Sequence, residues 1–117
     1  MTHKNHSINY IEFPLVDNAA TKAFYSGVFG WTFQDWGPTY ISFTGAEVEG
    51  GFNGQDAVVA GASGVLVVLY ADDLEATEQK VRDAGGEIAK GIYAFPGGRR
   101  FHFVDPNGNE LAVWSEK

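Results

Sequence analysis

N-Y-I-E-F-P-L-V-D-N-A-A-T-K-A-F-Y-S-G-V-F-G-W, Asn9 to Trp31, is the stretch whose reading decides the fold. From Tyr10 to Leu15 the side chains alternate, with Ile11, Phe13 and Leu15 on one face and Tyr10, Glu12 and Pro14 on the other, the period of a strand. Asp17 or Asn18 then offers a helix cap, Ala20, Phe24 and Val28 recur along one apolar stripe, and Gly30 ends the helix. Leu66 to Glu87, L-V-V-L-Y-A-D-D-L-E-A-T-E-Q-K-V-R-D-A-G-G-E, aligns with this stretch without a gap. Tyr10 falls on Leu66, Phe13 on Leu69, Asp17 on Asp73, Thr21 on Thr77 and Gly30 on Gly86. A repeat at about half the chain length predicts two copies of one supersecondary unit, since a lone copy cannot bury its apolar face.

Outward from the first copy, W-T-F-Q-D-W alternates aromatic and polar residues up to a turn at Gly37-Pro38, and Tyr40 opens the short strand Y-I-S-F. Glu47 to Asn53 predicts a further strand, bent or bulged at Gly50-Gly51. In the second copy, Asp72 with Glu75 resembles a capping box, Leu74, Val81 and Ala84 share a helix face, and Gly85-Gly86 closes it. Glu87 to Ile92 reads as a strand, F-P-G-G-R-R as a loop, R-F-H-F-V as a strand, D-P-N-G as a turn and Asn109 to Ser115 as the last strand. Both halves therefore run strand, helix, three strands, an α+β pattern. One domain over 1–117 is expected, with module one at about 8–53, a linker of small residues at about 54–63 and module two at about 64–115.

Composition narrows the chemistry. The absence of cysteine from the 117 residues removes disulfides, thiolate metal sites and cysteine nucleophiles. The longest apolar run, Val65 to Ala71, is far short of the ~20 residues of a membrane span, and M-T-H-K-N-H-S has no signal-peptide character, so the expected address is the cytoplasm with no membrane partner. His3 and His6 read as part of a frayed polar tail. A net charge of −7 argues against a nucleic-acid partner and suits a cationic ligand. No nucleophile elbow, P-loop or dinucleotide fingerprint is present.

Two βαβββ modules in one short chain resemble the vicinal oxygen chelate superfamily, which includes glyoxalase I, extradiol dioxygenases, fosfomycin-modifying enzymes and bleomycin-binding proteins. The residues that carry the likeness are F-P-L-V-D, A-F-Y and V-F-G-W in the first half, A-D-D-L-E-A and A-G-G in the second, and G-R-R-F-H-F-V-D-P-N-G-N near the end. The resemblance implies one pseudo-twofold domain whose curled mixed sheet encloses a cavity with the helices outside, and a homodimer that completes the cavity. It also implies a divalent metal held by His or Glu from the first and last strands of each module. Here those positions read Tyr10, about Gly51, Leu66 and Ala112, none a usual ligand, so neither a metal nor another cofactor is expected.

The expected cavity face holds Tyr10, Glu12, Tyr40, Phe52, Leu66, Tyr70, Arg100, His102 and Trp114. Glu12 and His102 are the candidate acid-base groups. His102 alternates with Phe101 and Phe103, so it faces the cavity or an edge if those are core, and pairing with Glu12 stays open. Arg99 and Arg100 are either an anion site or a solvated pair. The expected function is metal-independent binding of a small organic molecule, cationic or aromatic, for sequestration or sensing, with Glu12 as its main polar contact. The alternative is a glyoxalase- or dioxygenase-like enzyme holding a divalent metal through non-standard ligands such as Glu12, Glu49 and His102.

Overall fold

The computed structural model describes residues 5–6, 8–55 and 65–117; most of the expected frayed tail and the linker between the halves lie outside these. The order is β1 (Tyr10–Pro14), α1 (Asn18–Phe29), β2 (Thr32–Asp35), β3 (Tyr40–Thr44), β4 (Glu49–Asn53), β5 (Val67–Tyr70), α2 (Leu74–Asp83), β6 (Glu87–Phe95), β7 (Gly98–Val104) and β8 (Glu110–Ser115). The strands form two four-stranded mixed sheets, β1-β4-β3-β2 and β5-β8-β7-β6, with identical connectivity. In each, the first strand of the module lies parallel to the last. The sheets are not closed into a barrel.

The repeat is repeated in atomic detail at the helix starts. Asp17 accepts from the Ala20 amide at 2.9 Å and Asp73 from the Ala76 amide at 3.0 Å, while the Thr21 and Thr77 hydroxyls donate to the Asp17 and Asp73 carbonyls at 2.6 and 2.8 Å. Asp73, rather than Asp72, is therefore the cap of α2. Gly30 closes α1 with φ of 76°, a conformation that other residues adopt only with strain.

One apolar core joins both halves. Phe13, Ile41, Phe43 and Phe52 from the first sheet meet Phe101, Phe103, Leu111 and Val113 from the second through Phe24 and Tyr25 of α1. The Tyr25 ring lies 5.2 Å from Phe52, and Phe24 5.7 Å from Phe103. Gly86 permits this closeness, because a Cβ there would come within 2.7 Å of the Phe24 ring.

The turn after β7 locks the halves together. Asp105, buried, accepts the Tyr25 hydroxyl at 2.9 Å and the Asn107 and Asn109 amides at 2.8 and 2.9 Å. Asn107 Oδ1 in turn accepts the Val16 and Asp17 amides at 2.6 and 3.1 Å, and Asn109 donates to the Pro14 carbonyl at 3.1 Å. Burial, reinforced by the Asp105 charge and hydrogen bond, pushes the Tyr25 phenol well above its ordinary ionisation. A phenol raised in this way stabilises the fold fully below about pH 10, its unfolded value, and loses that contribution as pH rises toward the folded value. The urea midpoint should therefore fall above about pH 10, and Tyr25→Phe should flatten that fall; an unchanged alkaline slope in the variant would refute the assignment.

Two expectations about strands are corrected. Gly50-Gly51 makes no bulge: β4 keeps continuous register with β1 and β3. The run Phe95 to Arg100 is not a loop, because Phe95 pairs with Gly98, Ala94 with Arg99 and Tyr93 with Arg100, leaving a tight Pro96-Gly97 turn. A Cβ on Gly98 would lie 2.0 Å from the Ser115 carbonyl, so glycine lets the hairpin pass close to β8.

Candidate ligand-binding site

Each sheet turns one face to the core and the other away from it, and the expected site residues divide between the two outer faces. On the first sheet, Tyr10, Glu12 and Tyr40 come together. The Tyr10 and Tyr40 hydroxyls are 2.6 Å apart, and Tyr40 donates to Glu12 Oε2 at 2.9 Å. Asn53 Nδ2 holds the other carboxylate oxygen at 3.0 Å. Gly51, opposite Glu12 in the ladder, makes room: a Cβ there would sit 2.5 and 2.6 Å from the two tyrosine hydroxyls. Desolvation, then its bonds to Tyr10 and Glu12, raise the Tyr40 phenol far above its usual range, so it remains a neutral donor to the carboxylate. Trp36 adds its indole N–H to Ser42 Oγ at 2.9 Å. Phe52 does not belong to this face. It stacks on Phe13 at 5.1 Å in the core, because in an unbulged strand Gly51 and Phe52 point to opposite sides.

On the second sheet, cross-strand register builds a row from Tyr70 through Trp114 and Arg100 to Tyr93, with Val68, Ala112 and His102 in the row beside it. Tyr70 meets the Trp114 ring edge-on at 5.1 Å, and Phe95 lies 6.1 Å from Trp114. Val68, Phe95, Gly97, Arg100 and Trp114 line an open recess of about 330 Å³. The Arg100 guanidinium rests over the Tyr93 and Phe95 rings at 5.4 and 5.6 Å. Leu66, expected on this face, precedes β5 and is half-buried.

Phe101 and Phe103 are core, so His102 lies on the recess side of the sheet, but it is buried among neighbours that the sequence did not supply. Its Nδ1 is 2.9 Å from Glu110 Oε2 and its Nε2 3.0 Å from the Tyr93 hydroxyl; Glu12 is not its partner. Arg100 Nε donates to the same Tyr93 oxygen. Glu110 could have been found from alternation with Ala112 and Trp114 along the last strand. Tyr93 could not, because β6 slips register against β7 on both sides of Lys90. Arg99, by contrast, pairs with Glu75 through contacts of 2.6 and 3.2 Å and is unavailable to a ligand.

A family model described as Glyoxalase/Bleomycin resistance protein/Dioxygenase superfamily matches residues 7–113. The chain belongs to this superfamily. Among members of the Glyoxalase/Bleomycin resistance protein/Dioxygenase superfamily and related chains, it is 31% identical, over 84% of its length, to the anthracycline biosynthesis protein DnrV of Streptomyces peucetius, of which it spans 42%. Its fold matches a glyoxalase-related enzyme from Fulvimarina pelagi with a TM-score of 0.79, at 19% identity over 94% of this chain and 88% of that one. It also matches TnmS3, an antibiotic-binding protein from Streptomyces sp. CB03234, with a TM-score of 0.70 at 19% identity over 97% and 98% of the two chains.

The divalent metal that superfamily membership suggests does not fit the residues present. Tyr10, Gly51 and Ala112 offer one phenol between them, and the space above Gly51 is taken by the Tyr10 and Tyr40 hydroxyls. Among the described residues, no three His, Asp or Glu side chains converge as a metal site requires, so Glu12, Glu49 and His102 are not one ligand set.

Proposed function

We propose that this superfamily member binds a small, flat aromatic molecule against Trp114 and Phe95, without a metal, and acts by holding it rather than by transforming it. The observation that carries this reading is the 330 Å³ recess, which lies within the usual size of ligand pockets and has aromatic walls and one polar group. That group is Arg100; Glu12, expected as the main polar contact, is anchored on the other sheet by Tyr40 and Asn53. The anthracycline-biosynthesis relative and the antibiotic-binding structural neighbour support an antibiotic-like ligand class. A cytoplasmic homodimer belongs to the same proposal, supported for the dimer by side chains such as Trp36, 68% exposed, and Tyr70, 47% exposed.

A thermal-shift screen of flat aromatic compounds beside Ni²⁺, Zn²⁺ and Fe²⁺ tests the reading. A ligand at about a hundred times its Kd should add about 2.7 kcal/mol to the stability of the bound state. Trp114→Ala should weaken that ligand by about ten- to a hundredfold, the loss of a buried aromatic anchor. Stoichiometric uptake of a metal, or unchanged affinity in the variant, would overturn it.

A further inference from the structure

We infer that the recess is selective for aromatic molecules bearing an anionic oxygen, a carboxylate or an acidic phenolate, and that Arg100 is the residue that reads it. This inference rests on the binding reading above and specifies its ligand class. It runs against the net charge of −7, which by itself favours cations.

Arg100 is the one cation among the described residues that lines the recess. Of the other described cations, Lys22 is bound to Asp35, Arg82 to Glu78 and Arg99 to Glu75, and Lys80, Lys90 and Lys117 do not line the recess. Arg100 lines the recess and, among the described residues, pairs with no carboxylate. A guanidinium has five N–H donors and no acceptor. Nε is committed to Tyr93, which leaves the terminal amino groups for a ligand. Those two nitrogens form the planar fork that takes a carboxylate side by side, and the rings beneath the guanidinium partly shield it from water.

The fork is also held in place. In a neutral imidazole that gives Nδ1–H to Glu110, Nε2 accepts the Tyr93 hydroxyl, whose oxygen accepts from Arg100. The series Arg100 to Tyr93 to His102 to Glu110 engages both His102 ring nitrogens and crosses three strands of one sheet. Tyr93 and His102 are therefore positioning residues for Arg100. An arginine fixed before the ligand arrives loses less side-chain freedom on binding. Trp114 and Phe95 accept the ring system while Arg100 takes the oxygen at its edge.

Calorimetric titration of three matched probes separates this inference from the binding reading: 2-naphthoate, the neutral 2-naphthylmethanol and the cationic 2-naphthylmethylammonium. At neutral pH, 2-naphthoate should bind about ten- to a hundredfold more tightly than the alcohol, the worth of a hydrogen bond to a charged group, and the ammonium more weakly than either. Arg100→Gln should abolish the preference, with a native urea midpoint showing that the variant is folded. Tyr93→Phe should narrow the naphthoate-to-alcohol ratio in the same direction, by a smaller factor than Arg100→Gln. Equal binding of naphthoate and alcohol by the native protein, or a preference that survives Arg100→Gln, would overturn the anion selectivity while leaving the recess as a binding site. Failure of all three probes to bind would overturn both.

Discussion

Asp105→Ala should remove about 4 kcal/mol or more of stability, a large share of what a domain of this size possesses. The carboxylate is buried and accepts four donors at 3.1 Å or less: the Tyr25 hydroxyl, the Asn107 and Asn109 amides and Asn109 Nδ2. Alanine would leave those donors without an acceptor where water cannot readily replace it, at about 1–3 kcal/mol for each one stranded. Asp105→Asn should cost less. Its oxygen can still accept the two backbone amides at the Oδ1 position, while its NH₂ would face Asn109 donor to donor. Urea denaturation monitored by tryptophan fluorescence would measure both; a loss below about 1 kcal/mol for the alanine variant would show that the turn is not the clamp described.

Gly50→Ala should be comparably damaging, and its neighbour Gly51→Ala should not. A Cβ on Gly50 would lie 2.1 Å from the Ile11 carbonyl and 2.5 Å from the Phe43 ring, so a backbone strand and a core side chain would both have to move. Overpacking of that kind costs about 3 kcal/mol. At Gly51 the obstacles are two tyrosine hydroxyls at the ends of long side chains, which can swing aside. That variant should fold with nearly native stability but break the Tyr10–Tyr40 contact. The ultraviolet titration would report this, since Tyr40, turned into water and released from Tyr10 and Glu12, would ionise nearer its ordinary range. If Gly50→Ala melts with the native protein, the close approach of β1 and β4 is wrong.

The repeat made the modules legible because caps are local. Asp17 and Asp73 bond three residues ahead, and the repeat aligned the two, although the capping-box spacing with Glu75 pointed to Asp72. Strand faces were legible for the same reason: Phe101 and Phe103 turned His102 outward. What escaped was register between strands. The Gly50-Gly51 pair suggested a bend or bulge, and Phe52 was placed with Tyr10, whereas the glycines answer crowding from Ile11 and Phe43 on one side and from the tyrosines on the other, and Phe52 packs in the core. The partners of His102 depend on a slip between β6 and β7 that no periodicity encodes. The split of the candidate residues between two sheets also follows from packing through α1, a long-range event.

Because β8 lies between β5 and β7, the second sheet has no middle until Glu110–Ser115 has left the ribosome. Until then a nascent chain carries β5 and the β6–β7 hairpin as separate pieces, and the Trp114 wall of the recess does not yet exist. A ligand present during translation therefore cannot template this half before β8 emerges; it can only trap the sheet once that strand has paired.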